Sequence, residues 1–326
     1  MRAVVCREWC DPSGLRVEDV LAPPLAPGGV RIAVRAAGLN FADTLIIAGA
    51  YQIKPPLPFS PGFEVAGRVL ECASGVTRCK PGDRVTAVIE YGGFAEQVVA
   101  PEDCVFVLPD NVDDVIAAAF PVAYGTSHLG LKYKAGLVAG ETLLVHGAAG
   151  GVGLTAVEIA KRLGATVVAT ASGAEKLRIC ADAGADHVVD SRAEDLRDRI
   201  KSLTGGRGAD VVYDPVGGRL FEASLRSTAP GGRILIVGFA SGEVPQIPAN
   251  ILLVKNISAI GYYWGAHRTL APQWMRASCE ELLGWLARGL LRPHVSQAYP
   301  LDEATPALQA LRARRTTGKV VLTLPD

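Results

Sequence analysis

The order of apolar and polar positions changes character near residue 115 of this 326-residue chain. Before that point, short runs rich in Val, Ile and Ala are interrupted by Pro and Gly, a pattern typical of strands joined by turns. From Thr142 onward, apolar runs alternate with amphipathic helical stretches, which favours a parallel sheet with helices on both faces. The sequence therefore predicts an α/β protein with a β-rich region and a doubly wound region.

The predicted elements divide the chain into two domains. In the β-rich region the predicted strands are Arg31–Ala36, Glu64–Leu70, Arg84–Val88, Phe94–Val99 and Val105–Leu108, with a helix beginning at Val115–Ala119. In the doubly wound region they are Thr142–Val145, Thr166–Thr170, His187–Val189, Val211–Asp214, Arg233–Val237 and Ile257–Gly261. Helices at Gln273–Arg288 and Asp302–Arg314 and a strand at Lys319–Leu324 follow. We expect residues 119–264 to form one domain, inserted between the segments 1–118 and 265–326 of the other.

A glycine-rich segment lies between the first strand and the first helix of the doubly wound region. It has the sequence His146-Gly-Ala-Ala-Gly-Gly-Val-Gly153, and a second apolar run follows the helix. This strand, turn, helix, strand order is typical of the βαβ unit that binds a dinucleotide. We expect Gly150 and Gly151 to let the backbone approach a pyrophosphate and Gly153 to let the helix pack close to its strand. The free N–H groups at the helix N-terminus favour the anion.

Composition and charge exclude several classes of protein. Hydrophobic residues make up 49% of the chain and charged residues 20%, as in an ordinary soluble enzyme. The formal net charge is zero, so nothing favours a nucleic-acid partner or an acidic membrane surface. No apolar run is long enough to cross a bilayer and no secretory signal is visible, so we expect a cytoplasmic protein. The seven cysteines are scattered and form no C-x-x-C pair, which argues against a disulfide framework and a structural zinc site.

Four motifs resemble those of the medium-chain dehydrogenase/reductase superfamily, and within it the zinc-free quinone oxidoreductases of the zeta-crystallin-like branch. They are Ala-Gly-Leu-Asn-Phe-Ala-Asp at 37–43, Pro-Gly-Phe-Glu-Val-Ala-Gly at 61–67, Pro-Gly-Asp-Arg-Val at 81–85 and Ala-Ala-Gly-Gly-Val-Gly at 148–153. The resemblance covers nearly the whole chain. It implies a Rossmann domain inserted into a GroES-like catalytic domain, and a homodimer. The apolar run Ile257–Gly261 suits this dimer, because an exposed edge strand is covered when it pairs with its symmetry mate.

The resemblance implies where zinc-containing members of the superfamily carry their ligands: a Cys near position 40, a His at 63 and a further Cys near 120. Here those places hold Asn40, Phe63 and the run Phe120-Pro121-Val122. None of these side chains is a usual zinc ligand, so the sequence predicts no metal site. Without a metal to ionise an alcohol, reduction of an activated acceptor is favoured instead.

The residues at the end of the second strand of the doubly wound region favour NADPH over NADH. NAD-preferring folds carry Asp or Glu at the end of the second strand, where this chain has Ser172 and Gly173, followed by Lys176. By resemblance, Lys176 contacts the 2′-phosphate, although it also suits an ordinary solvated helix position. The remaining cofactor candidates, from the glycine turn, the strand ends and the resemblance, are Asn40, Thr126, Ala149, Val152, Val216, Gly238, Phe239, Ser241 and Arg314.

The substrate candidates are mostly aromatic, which suits a flat apolar acceptor. They are Tyr51, Phe63, Tyr124, Tyr263 and Trp264, and Asn40 and Asp43 complete the catalytic set. Tyr51 stands where related enoyl-thioester reductases carry a proposed proton donor, and a phenol is protonated at neutral pH. Two alternatives remain open: Tyr51 as a packed loop residue, and Tyr263 and Trp264 as part of a subunit contact. Asp43 is more typical of a structural carboxylate than of a proton-transfer group.

These observations predict an NADPH-dependent reductase of quinones or conjugated enones. One alternative is an enoyl-thioester reductase acting on 2-enoyl-CoA or acyl-carrier-protein substrates. Another, of a different class, is a non-catalytic NADPH-binding protein that serves as a redox sensor or a structural protein.

Overall fold

The computed structural model describes residues 1–325, which form fifteen strands and eleven α-helices. The strands are β1 Arg2–Val5, β2 Arg16–Asp19, β3 Gly29–Leu39, β4 Glu64–Cys72, β5 Arg84–Val88, β6 Gln97–Pro101, β7 Val105–Val107, β8 Thr142–Val145, β9 Thr166–Ala171, β10 His187–Asp190, β11 Ala209–Asp214, β12 Thr228–Ile236, β13 Ser258–Gly261, β14 Val295–Pro300 and β15 Lys319–Thr323. The helices are α1 Phe41–Ile47, α2 Asp114–Ala118, α3 Pro121–His128, α4 Gly151–Arg162, α5 Ala174–Asp182, α6 Leu196–Leu203, α7 Gly218–Ser227, α8 Ala249–Lys255, α9 His267–Leu270, α10 Pro272–Ala287 and α11 Ala304–Arg312.

The chain folds into two compact units. Unit 1 holds Met1–Ala123 and the segment from Leu283 onward, and unit 2 holds Tyr124–Leu282. The second boundary differs from the predicted return after residue 264. The reason lies in α10, whose first part packs within unit 2: His128 Nδ1 lies 2.8 Å from the Ser278 hydroxyl, and Lys132 pairs with Glu281.

Unit 2 contains a six-stranded sheet in the order β10-β9-β8-β11-β12-β13, with every neighbouring pair parallel. This is the strand order of the doubly wound dinucleotide fold, so the predicted fold class is confirmed. The central strands are buried over most of their length, as expected for strands covered on both faces. The strand β13, predicted to be an edge, is one edge of the sheet.

Unit 1 contains a seven-stranded, mostly antiparallel sheet in the order β14-β15-β3-β4-β5-β7, with β6 also paired to β3. The long strand β3 alternates buried and half-buried positions, and its apolar face joins the core of this unit. The last strand, β15, pairs antiparallel with β3 through Val320 and Leu39. β15 therefore lies beside the strand that leads into α1.

Several elements differ from the sequence prediction. The strand expected at Phe94–Val99 is β6 at Gln97–Pro101, because Phe94 belongs to a buried loop whose N–H donates to the Pro61 carbonyl. The first residues of the helix expected at Asp302–Arg314 form a 3₁₀ turn, and α11 begins at Ala304. No element was predicted at β1, β2, β14, α1 or the π-helical segment Leu129–Lys134. Within residues 1–325, no helix has the length and apolar character needed to cross a bilayer.

Candidate functional site

The glycine turn, residues 146–153, joins β8 to α4 as the sequence predicts. Gly150 caps the helix, and the Ala148 N–H donates to the Thr170 carbonyl at the end of β9. A Cβ added at Gly153 would lie 2.4 Å from the Gly147 carbonyl oxygen and 2.7 Å from Ala148 Cα, so only glycine allows this close packing. A Cβ at Gly150 would meet only the Gly147 oxygen, at 3.3 Å. The space beside Gly150 is therefore open to a ligand, which fits a dinucleotide phosphate.

The first residue of the turn, His146, is a structural side chain. Its ring is fully buried, with Nδ1 3.0 Å from the Thr170 hydroxyl and Nε2 2.7 Å from the Ser224 hydroxyl. Burial lowers the pKa of His146 below its usual range, against an opposing effect of Asp214. A neutral His146 therefore ties β8 to β9 and α7.

The loops after β11 and β12 meet at the same edge of the sheet as the glycine turn. Asp214 is buried, and its Oδ1 accepts hydrogen bonds from the Val216 and Gly217 N–H groups at 2.8 and 2.9 Å. The Ser241 N–H donates to the Val216 carbonyl at 2.9 Å. Phe239 stands beside them with 40% of its surface exposed. The structure thus brings together Val216, Phe239 and Ser241, three of the predicted cofactor residues.

Asp214 Oδ2 is buried without a hydrogen-bond partner among the described residues. A dinucleotide bound at this edge of the sheet could donate a hydrogen bond to this oxygen. Like the open space at Gly150, the unpaired oxygen therefore fits a dinucleotide site in unit 2. Asp214 was expected among the strand-end residues that approach the cofactor. The signal that marks it is the Asp-Pro-Val-Gly-Gly run directly after β11.

The predicted 2′-phosphate residues lie at the end of β9 and the start of α5. Gly173 has a φ of +86° and caps α5, and a Cβ there would meet no atom within 4 Å. Ser172 and Lys176 are half-buried. One neighbour was missed: Asp190, at the end of β10, accepts a hydrogen bond from the Gly173 N–H at 3.3 Å. The segment carries one acid, Glu175 in the first turn of α5, and the adjacent strand carries a second, Asp190.

Unit 1 holds the second set of candidates, beginning with Asn40 and Asp43. Asn40 caps α1, and Asp43 Oδ2 accepts a hydrogen bond from the Asn40 N–H at 2.7 Å. Asp43 Oδ1 accepts a second from the Gly62 N–H at 3.0 Å. Burial raises the pKa of Asp43 to about 7, against the effect of these hydrogen bonds and of Lys319. The carboxyl group thus fixes the loop at Gly62 to the start of α1, which agrees with the structural role expected of it.

The side chain of Asn40 belongs to a buried polar cluster that the sequence analysis missed, here called the lysine cluster: Asn40, Glu64 and Lys319. Lys319 Nζ donates to Asn40 Oδ1 at 2.8 Å, to Glu64 Oε1 at 2.7 Å and to the Leu39 carbonyl at 2.6 Å. Asn40 Nδ2 donates to Glu64 Oε1 at 2.8 Å. Lys319 is 4% exposed and Glu64 fully buried. The ammonium group therefore fixes which way the Asn40 amide points.

Glu64 is held on its other side as well. Its Oε2 accepts a hydrogen bond from the Val122 N–H at 2.8 Å. A Cβ at Gly38 would lie 2.6 Å from Glu64 Oε1 and 2.3 Å from the Ala118 carbonyl oxygen, so the glycine of the 37–43 motif makes room for this carboxylate. The sequence signal for Lys319 was a lysine at the first position of an apolar strand, directly after a glycine.

Two predicted substrate residues of unit 1, Tyr51 and Phe63, contact each other. Their ring centroids are 5.4 Å apart at an interplanar angle of 59°. Tyr51 is half-buried and Phe63 is buried. Together they form an aromatic wall in unit 1.

The predicted aromatic residues of unit 2 are largely enclosed. Tyr124 is 1% exposed and its hydroxyl donates to Glu158 on α4, and burial with the adjacent carboxylate raises its pKa well above the usual range. Trp264 is buried against α3, where a Cβ at Gly125 would lie 2.7 Å from its ring. Tyr263 is half-buried. These side chains stabilise unit 2, and a role for them at the substrate stays a prediction.

Two cofactor candidates remain. Thr126 is buried on α3, and its carbonyl accepts a hydrogen bond from the Tyr262 hydroxyl at 2.9 Å. Arg314 is exposed just beyond α11 with a φ of +56°. Contacts of Thr126 and Arg314 with a cofactor stay predictions.

The places of the expected zinc ligands are filled by other side chains. Asn40 belongs to the lysine cluster, Phe63 to the aromatic wall, and the Val122 N–H bonds to Glu64. Within residues 1–325, no group of three or more His, Cys, Asp or Glu side chains is placed to hold a metal ion. All seven cysteines are free thiols.

Comparison with known proteins shows where the chain belongs. Residues 26–110 match the alcohol dehydrogenase GroES-like domain, and residues 151–286 the family described as zinc-binding dehydrogenase. The chain is 45% identical over 324 residues to the quinone oxidoreductase-like protein 2 homolog of Nematostella vectensis, covering 98% of this chain and 88% of that protein.

Two solved structures show the same fold over the full length. The quinone oxidoreductase of Escherichia coli, solved with NADPH, has a TM-score of 0.93 at 32% identity, covering 99% of this chain and 100% of that chain. A mycobacterial protein solved with NADPH has a TM-score of 0.93 at 36% identity, with the same coverage. The chain belongs to the medium-chain dehydrogenase/reductase superfamily, in its quinone oxidoreductase branch.

Proposed function

We propose that this protein is an NADPH-dependent reductase that transfers a hydride to quinones or conjugated enones without a metal ion. The observation that carries the proposal is the glycine turn with its open space at Gly150, in a chain similar over its full length to NADPH-bound quinone oxidoreductases. The lysine cluster supports the metal-free part. In this cluster Asn40 and Glu64 both accept hydrogen bonds from Lys319. An amide and a carboxylate already paired with a lysine do not provide the tetrahedral ligand set that zinc needs.

In this proposal unit 2 holds the cofactor. Gly150 and the N-terminus of α4 face the pyrophosphate, and the loops that carry Val216 and Phe239 receive the nicotinamide half. Ser172, Gly173 and Lys176 receive the 2′-phosphate. When bound, NADPH supplies the hydride.

Unit 1 supplies the polar groups and the aromatic wall. Lys319 holds the Asn40 amide in one orientation. The amide therefore does not need to reorient during the reaction. The aromatic wall of Tyr51 and Phe63 positions a flat acceptor, and Tyr51 Oη donates a proton to the oxygen of the reduced enone. A quinone differs because its reduced oxygens take protons from water. The phenol therefore matters more for enones than for quinones.

The substrate class is tested by NADPH consumption on quinones, enones and enoyl-CoA esters with wild type and Tyr51→Phe. We expect Tyr51→Phe to lower enone turnover by about 10²-fold, with a smaller effect on quinones and unchanged NADPH affinity. The matched control is Tyr91→Phe, which removes a phenol of unit 1 that packs on Phe59 instead. Faster turnover of enoyl-CoA esters than of every quinone and enone would favour the enoyl-thioester reductase. Tight NADPH binding without turnover of any acceptor would favour the non-catalytic alternative.

The cofactor preference is tested at Lys176. We expect Lys176→Ala to weaken NADPH binding on the order of tenfold, because the 2′-phosphate loses a charged partner, and to leave NADH binding unchanged. Arg178→Ala is the control, since Arg178 is exposed on the same helix and pairs with Asp182 at 3.4 Å. Equal NADPH affinities for wild type and Lys176→Ala would remove Lys176 from the assignment.

We also propose a homodimer formed through β13. This strand is an edge of the six-stranded sheet, and Leu253 and Val254 on the preceding helix α8 are 76% and 75% exposed in the single chain. Pairing β13 with its symmetry mate would cover the edge. Light scattering at micromolar concentration should give the mass of two chains, and the mass of one chain would contradict the proposal.

A further inference from the structure

A pocket rich in positive charge lies in unit 2 at the amino-terminal ends of the parallel strands. It has a volume of about 450 Å³, and five of its lining residues are cationic: Arg197, Lys201, Arg207, Arg226 and Lys255. The lining also includes Gly206, shortly before β11, and Thr228, the first residue of β12. The glycine turn follows the carboxyl end of β8, which runs parallel to β11. The pocket is therefore at the opposite edge of the sheet from the proposed cofactor residues.

Most cations of this pocket lack a carboxylate partner, whereas some other cations of unit 2 have one. Outside the pocket, Arg199 pairs with Glu194 at 3.1 Å, and Arg233 pairs with Glu141 at 2.6 Å. Within the described part of the chain, Arg197, Lys201 and Arg226 have no carboxylate within ion-pair distance, and no acidic side chain lines the pocket. Only Arg207 has such a partner, Asp210.

Lys255, one of the lining residues, is held in place by backbone carbonyl groups. Its Nζ donates to the carbonyl oxygens of Leu225, Arg226 and Thr228, at 2.8, 3.2 and 2.6 Å, at the end of α7. Burial, and then repulsion from Lys201 and Arg197, lower the pKa of Lys255 below its usual range. The folded protein thus holds like charges close together around one concavity, and an anion bound there would relieve their repulsion.

The pocket lining also includes apolar side chains. Leu225, Ile251 and Pro230 line it, and Leu225 is buried on the inner face of α7. The volume lies within the usual range for small-molecule sites, which combine an apolar wall with a few convergent polar groups. A ligand that suits this lining carries several negative charges together with a flat or apolar group.

We propose that this pocket binds a small phosphorylated organic molecule of the nucleotide type, with its phosphates against Arg197, Lys201 and Arg226 and its less polar part against Leu225 and Ile251. Arginine binds phosphate through two parallel N–H donors and lysine as a point charge, so a polyphosphate can engage several of these residues together. The site is separate from the proposed cofactor site and does not depend on the proposed reaction.

Calorimetric titration with ADP tests the proposal on the full chain saturated with NADPH, so that ADP cannot occupy the dinucleotide site. We expect one ADP per chain, weaker binding of pyrophosphate, and no binding of adenosine. The variant Arg197→Ala/Lys201→Ala should weaken ADP binding about tenfold or more. The control Arg162→Ala/Arg199→Ala removes the same charge from α4 and α6 outside the pocket and should bind ADP as wild type does. Arg226→Ala provides an independent variant on a different helix and should also weaken binding.

Several outcomes would overturn the proposal. They are no ADP binding to the NADPH-saturated protein, an equal loss in the control variant, and unchanged binding in both pocket variants. Tighter binding of a single-stranded oligonucleotide through the same residues would replace it with a nucleic-acid surface. None of these readouts requires turnover, so the substrate proposal stands or falls separately.

Discussion

The glycine turn of unit 2 and the lysine cluster of unit 1 are built in opposite ways. The turn uses backbone and the absence of side chains, and its residues are contiguous in sequence from 146 to 153. The lysine cluster uses charged and polar side chains from the start of α1, from β4 and from β15, and Lys319 lies 255 residues from Glu64 along the chain. A backbone site therefore leaves a local sequence signal, whereas a side-chain site assembled by the fold leaves almost none.

Among the variants that test this difference, Lys319→Met should have the largest effect on stability. It leaves Glu64 as a buried carboxylate without its cation, which we expect to cost about 3–5 kcal/mol of unfolding free energy. The loss should appear in chemical denaturation and as faster hydrogen exchange at β3 and β15. The control Lys80→Met, at an exposed position of unit 1, should change stability by less than about 0.5 kcal/mol.

A double variant sharpens the same prediction. Lys319→Met/Glu64→Gln should be more stable than Lys319→Met alone, because no uncompensated carboxylate remains in the core. If Lys319→Met were as stable as Lys80→Met, the cluster would not contribute to the stability of unit 1.

The glycine turn should respond differently at two neighbouring glycines. Gly153→Ala places a Cβ against backbone atoms at 2.4 and 2.7 Å, so we expect a loss of about 1–3 kcal/mol in unfolding free energy. Gly150→Ala meets one atom at 3.3 Å and should keep most of the stability while weakening NADPH binding. Thermal melts with and without NADPH separate the two effects. Equal stabilities for these variants would contradict the close packing of α4 on its turn.

The stability of unit 1 should also depend on pH through Asp43. The pKa of Asp43 in the fold, about 7, is above its ordinary value of 3.8, so folding favours the protonated carboxyl group. Its contribution is complete below pH 3.8 and is lost as the pH rises through about 7, at no more than about 1.4 kcal/mol per pH unit. Asp43→Asn should remove this dependence. Parallel pH profiles of the two proteins in urea denaturation would show that Asp43 does not titrate in this range.

The sequence predicted the parts of the fold that repeat a local pattern. The six strands of unit 2 follow one another with amphipathic helices between them, and each was predicted close to its observed place. The short helix α1 was missed because it has seven residues and two adjacent isoleucines, which favour strands. The strand β14 was missed because Ser296, Gln297 and Tyr299 give it no clear apolar alternation. Its place depends on pairing with β15, which sequence periodicity does not show.

The candidate site shows the same division. The positions of Gly150 and Gly153 follow from the motif. The partners of Asn40 do not, because Glu64 and Lys319 reach it only through the pairing of β3 with β4 and β15. The aromatic candidates Tyr124 and Trp264 illustrate the converse. Aromatic residues near a motif suggest a ligand wall, but the volume of the side chain also suits a core, and here both are buried in unit 2.

The position of Lys319 on the last strand has a consequence for synthesis on the ribosome. The chain emerges from its N-terminus, so Asn40 and Glu64 leave the exit tunnel long before the lysine that neutralises them. Until β15 is synthesised, the first 123 residues cannot complete their sheet, and Glu64 would have to be buried without the Lys319 ammonium group. Unit 2 can complete its own sheet meanwhile, since all six of its strands precede residue 262. The unit that begins first in translation is therefore the one that finishes folding last.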